Sequence, residues 1–158
     1  LAEDMYLCCL ARLRGVPVTV LPESGYDHWV GRSFKGGKVV GNALQTSYRR
    51  RALSERNKSF TMLICYPPPA SLFFIPVHLL VLAAEGLVLS ILKRNTRVFS
   101  DIYWFAFENV WRERGRLVAL RRSTQSSRRI PCRRFFAVHT SMPHKLAMLQ
   151  RYGMPGIE

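Results

Sequence analysis

Acidic residues are scarce: 10 Asp+Glu stand against 24 Lys+Arg in 158 residues, giving a formal charge of +14 and a pI near 10.5. Cysteine is sparse too. Cys8, Cys9, Cys65 and Cys132 form no CxxC pair and have no histidine at zinc-finger spacing, which excludes a cysteine metal site and a disulfide framework. They read as reduced thiols. There is no GxGxxG or Walker loop and no internal repeat, and Gly36 and Gly37 read as a turn without a phosphate cradle. A secretory signal is not expected at the start of this sequence, because the acids Glu3 and Asp4 occupy the place of a basic n-region. With Leu at position 1, the chain is expected to be the C-terminal piece of something longer. Wholesale disorder is excluded in turn by 48% apolar and 11% aromatic residues.

The charge is unevenly spread. Residues 1–42 carry a net +1, and the remaining +13 lies downstream. Between Ser59 and Leu92 the only formal charge is Glu85, with Arg49, Arg50, Arg51, Arg56 and Lys58 before it and Lys93, Arg94 and Arg97 after it. A membrane-embedded segment is flanked in this way. The run from Ser71 to Leu92 has 22 residues, about 33 Å as a helix at roughly 1.5 Å per residue, against a hydrocarbon core of about 30 Å. Pro76 is expected to kink it, and His78 and Glu85 are polar. An ionised Glu near mid-bilayer costs roughly 2.5 kcal/mol or more, so Glu85 must be protonated, paired or facing protein. A spanning helix and a re-entrant or interfacial hairpin both remain open, and nearly balanced flanking charges give no orientation.

Around this segment the sequence predicts a short helix over 2–14, acids first, bases last and Gly15 beyond. Next comes a strand over 16–22 near an edge, because Pro17 removes a ladder donor. A glycine-rich loop is expected over 23–38, and a helix-compatible basic pattern resumes at Asn42. After Lys93, Phe99, Ile102, Tyr103, Ala106 and Val110 recur at helical spacing with Trp104 and Trp111 nearby, which predicts an amphipathic helix at a headgroup layer. Trp111 to Arg134 holds nine Arg and one Glu, and is expected to be loosely ordered unless anionic lipid or nucleic acid collects it.

Chemistry is suggested at two points. Glu3 and Asp4 open a helix, and His28 follows Asp27 in the glycine-rich loop. A carboxylate at a helix N-terminus is held ionised and can accept a proton from a hydroxyl nucleophile, while an imidazole can bind a metal on a phosphate. By residue type alone, two acids at a helix start are more often a charge preference, and a loop histidine is more often a surface residue.

The order of landmarks adds to this. An acid pair, Leu7, Gly15, a segment ending in Pro22, then His28, Gly31 and Ser33, then SERN at 54–57 before a proline-containing apolar region, resembles the C-terminal part of bacterial family 2 glycosyltransferases, especially rhamnosyltransferase-like members that end in membrane-associated helices. The likeness covers roughly residues 2–95. It implies an α+β fragment, mostly α: a C-terminal remnant of a GT-A α/β domain over 1–47, a basic and proline-rich linker helix over 48–70, a transmembrane or re-entrant helix over 71–92, an amphipathic interfacial helix over 93–122 and a basic tail over 123–158. It further implies an inverting transfer in which Asp4 is the general base, Glu3 an acceptor contact and His28 a ligand near the diphosphate-bound metal, Mg or Mn in the full-length enzyme. Arg32 and Lys35 are candidate substrate contacts to the leaving diphosphate, with solvated loop charges as the alternative. Leu10 stands where the family usually has Arg, so that partner is missing or is replaced by Arg12 or Arg14, and the nucleotide-binding half with its DxD motif has no counterpart here.

The expected function is therefore that of an enzyme fragment, inactive alone, moving a sugar from a nucleotide-sugar donor to a lipid-linked or cell-envelope glycan. Its partners would be donor, acceptor and anionic-lipid membrane, without nucleic acid, at the cytoplasmic face of the bacterial inner membrane. The alternative is a small basic membrane-tethered protein that binds anionic lipid or nucleic acid without catalysis.

Overall fold

The computed structural model describes residues 2–19, 36–40, 43–139, 144–154 and 156–157, covering the backbone alone at 36–40, 43, 44 and 144. Helix α1 (Glu3–Leu13) has Glu3 and Asp4 in its first turn and Arg12 in its last, each sign at the favourable end of the helix dipole. It stops at Gly15, whose φ of +78° suits glycine and whose N–H donates to the Arg12 carbonyl at 2.8 Å. Val16–Thr19, expected as the start of a strand, are exposed and pair with no strand among the described residues. Pro17 supplies no N–H for a ladder. Residues 20–35 lie outside the described residues.

Strands β1 (Gly36–Val40) and β2 (Ala43–Thr46) are antiparallel, with Val39 opposite Leu44 and a bulge between Gly36 and Lys38. Gly36 and Gly37 thus begin a strand where the sequence suggested a turn, and glycine at a bulge is what such a kink favours. The helical pattern expected from Asn42 starts later, at Tyr48. Ser47 is extended and its Oγ accepts from the Arg50 N–H at 3.3 Å, so the cap sets the helix start.

Helix α2 (Tyr48–Cys65) is the centre of the molecule, packed by α1, by α3 (Ala70–Leu92), and by an arm made of a π-helical turn (Phe99–Trp104), α4 (Phe105–Arg112) and α5 (Arg114–Ser126). Helix α3 runs through Pro76. Two apolar clusters hold these elements. One joins α1, the end of α2 and α5 through Leu13, Ile64, Cys65, Leu117 and Phe135. The other places Leu82 and Leu89 of α3 on Val98, Ile102, Tyr103 and Ala106. At Gly86 the Tyr103 and Phe99 rings come so close that an added Cβ would lie 2.7 Å from Tyr103 Cγ. Glycine permits that approach.

The chain end, expected as a basic tail, forms α6 (Cys132–Phe136), α7 (His144–Tyr152) and β3 (Gly156–Ile157), which pairs parallel with β2. The architecture is α+β and mostly α. Arg121 explains much of the order: its guanidinium donates to the Leu63 and Tyr66 carbonyls at 2.6 and 2.9 Å and to Ser71 Oγ at 2.8 Å. Gln125 donates to the Ile64 and Cys65 carbonyls at 3.0 and 3.1 Å. Together they satisfy the carbonyls that the end of α2 leaves without helical partners.

Candidate functional site

Two polar regions stand out. The first is a groove of about 350 Å³ where the first turn of α1 meets α2 and α5. Glu3 and Tyr6 line one side, Asn57 and Phe60 another, and Arg116 and Leu120 a third. The backbone enters α1 through Ala2 in the left-handed region, φ 64°, with the Tyr6 N–H donating to the Ala2 carbonyl at 3.1 Å. Glu3 therefore opens the helix at the groove, and Asp4, exposed in the same turn, stands beside the groove without lining it. Asn57 is tied to its neighbours: Arg56 Nε donates to its Oδ1 at 3.0 Å, and Thr61 Oγ1 donates to its carbonyl at 2.9 Å. The structure brings Glu3 and Asn57 together. His28, Arg32 and Lys35 lie outside the described residues.

The second region lies between α2, α3 and α7. Glu55 is 2% exposed, and Lys145 Nζ donates to its Oε2 at 2.9 Å. The same ammonium reaches Glu85 Oε2, while Arg51 Nη2 holds Glu85 Oε1 at 2.6 Å and Arg51 Nε donates to the Tyr103 hydroxyl at 3.2 Å. Lys58 Nζ is 3.6 Å from Glu55 Oε1. Burial opposes the ionisation of Glu55, but the Lys145 and Lys58 ammoniums, with Arg51, overcome it and hold the carboxyl below its ordinary range. Burial pushes the Lys58 ammonium the other way from its usual value, downward, against the pull of Glu55. Glu85 is paired and faces protein, one of the options the sequence left open.

In the same layer Ser59 Oγ lies 2.9 Å from His78 Nε2. This pair has the composition of a nucleophile and its base, but the Ser59 hydroxyl also lies within donating distance, 2.9 Å, of the Glu55 carbonyl, and at 1% exposure it meets no substrate. It is a strut between α2 and α3.

Sequence reasoning missed Glu55, His78 and Lys145 as parts of one network, because charge pairs separated by 34 to 90 positions have no local period. Among the described residues no group of three His, Cys, Asp or Glu is placed to hold a metal ion. His28, the residue expected to stand near the divalent metal, lies outside the described residues.

No known family model, curated protein or solved structure matches this chain.

Proposed function

We propose that this chain is the acceptor-side end of an inverting glycosyltransferase that works at the cytoplasmic face of a bacterial inner membrane, passing a sugar from a nucleotide-sugar donor to a lipid-linked or cell-envelope glycan. The observation that carries the reading is the meeting of two distant landmarks, Glu3 of the acid pair and Asn57 of the SERN segment, on one groove. In this reading Asp4 takes the proton of the acceptor hydroxyl. Exposure in the first turn of α1 leaves it reachable. Glu3 positions the acceptor from the groove wall, and Arg116 across from it supplies positive charge to an anionic acceptor.

The test is transfer by the full-length enzyme. Asp4→Asn removes the base and keeps the shape, and loss of a general base typically lowers turnover by about 10²- to 10⁴-fold. Donor binding is expected to stay within a factor of about two to three. Parental turnover in Asp4→Asn, under conditions where Asp101→Asn on the exposed π-helical turn is also unchanged, would overturn the assignment.

A further inference from the structure

Phe73, Val77, Leu80, Ala84, Leu87 and Ile91 are all exposed and succeed one another at steps of three and four residues, which makes one straight stripe down the outer side of α3. Leu80 and Ile91 are 71% and 73% exposed. On the opposite side, Ser71, His78, Leu82, Glu85 and Leu89 meet the rest of the molecule. We propose that α3 lies in the plane of an anionic bilayer, with this stripe in the boundary between headgroups and acyl chains, and does not cross the membrane.

The neighbours of α3 decide between the two placements. Its length and hydropathy suit a crossing helix, and with only 17% of its most apolar window buried it offers lipid a surface in either placement. Helix α2 runs antiparallel along it, Ser59 at His78 and Arg51 at Glu85. The α4–α5 arm follows the same line: Tyr103 lies at Gly86, and Arg121 reaches Ser71 at the far end. If α3 crossed the hydrocarbon, this bundle would have to enter with it. Arg49 of α2 and Arg112, Arg114, Arg116 and Arg122 of the arm are exposed, and outward guanidinium groups do not face lipid tails. A helix lying flat needs only its stripe submerged, a depth of about 5–10 Å.

Charge names the occupant of that face. Lys93, Arg94 and Arg97 are exposed at the end of α3, as are the rings of Trp104 and Trp111, a combination that suits headgroup phosphates and the membrane interface. A second copy packed on the stripe would bring together two chains of charge +14. An anionic membrane surface complements that charge.

The proposal does not depend on sugar transfer, and either can fail without the other. The full chain is mixed with sealed vesicles of phosphatidylcholine, with and without phosphatidylglycerol. Binding to the anionic vesicles is expected to be at least about tenfold tighter, and the Leu80→Asp/Ile91→Asp pair, on exposed positions, is expected to lose about tenfold or more with an unchanged circular dichroism spectrum. For orientation, a Lys93→Cys variant is synthesised in the presence of sealed inverted bacterial membrane vesicles and treated with an impermeant maleimide. The native exposed thiol of Cys8 marks the α1 side, and the introduced thiol marks the far end of α3. Both are expected to react from outside. Protection of position 93 while Cys8 reacts overturns the proposal, as does absence of vesicle binding, self-association in place of it, or parental binding by the folded double variant. The labelling result stands whether or not the double variant folds.

Discussion

Lys145 Nζ donates to Glu55 Oε2 at 2.9 Å from a helix 90 positions further along the chain, and the same ammonium reaches Glu85. One side chain of α7 therefore joins α2 to α3. Lys145→Met keeps the length of the stem and removes the charge. Removing one partner of a fully buried pair costs about 3–5 kcal/mol, but Lys145 is 34% exposed and Glu55 keeps Lys58 within 3.6 Å. Solvent screening lowers the expected loss to about 1–3 kcal/mol, to be measured as a fall in urea midpoint with an unchanged slope.

The same network makes stability sensitive to acid. The folded Glu55 carboxyl is held below its ordinary value of 4.5, so near and below that value the unfolded chain binds the proton more readily than the folded one. The stabilisation from this group is present above pH 4.5 and is lost as pH falls through the folded value. Urea midpoints followed from about pH 6 to about pH 3 should fall for the parent and fall less steeply for Glu55→Gln. Equal slopes for the two proteins would remove Glu55 from the account.

Gly86 offers a test of the packing. In a helix, Gly→Ala gains about 0.5–1 kcal/mol from backbone entropy, whereas overpacking a tight core costs about 1–3 kcal/mol. The added carbon would meet Tyr103 Cγ at 2.7 Å and Phe99 Cδ2 at 2.9 Å, and the Tyr103 ring is fully buried, so the steric cost wins. Gly86→Ala is expected to lower stability, with a depressed thermal midpoint. Gly115, whose Cβ would meet nothing within 4 Å, is expected to tolerate the same change or gain from it.

What the sequence made legible was local. Glu3, Asp4, Arg12 and Gly15 mark both ends of α1, and the apolar run from Ser71 coincides with α3 to within a residue. Of the face predicted after Lys93, Ile102, Tyr103 and Ala106 are buried. The acid pair and Asn57 of the SERN segment were singled out as landmarks, but the other groove residues Phe60 and Arg116 come from other helices and carry no signal that a window of sequence holds. The basic stretch after Trp111, expected to be loosely ordered unless anionic lipid or nucleic acid collects it, is helical through Ser126, where Arg121 and Gln125 spend their donors on the end of α2. β2 and the start of α2 were blurred because the cap at Ser47 outweighs the helical pattern before it.

The parallel pairing of β3 with β2 and the placement of Lys145 have a consequence for synthesis on the ribosome. Translation is vectorial, so α3 leaves the ribosome before the arm that covers its inner side, and before Lys145, which pairs with its one acid, Glu85, exists. During that interval both sides of a 23-residue apolar helix are bare except where α2, already made, can reach them. The inner side of α3 closes only as the arm and then Lys145 are made, while its outer stripe stays open to a lipid surface throughout.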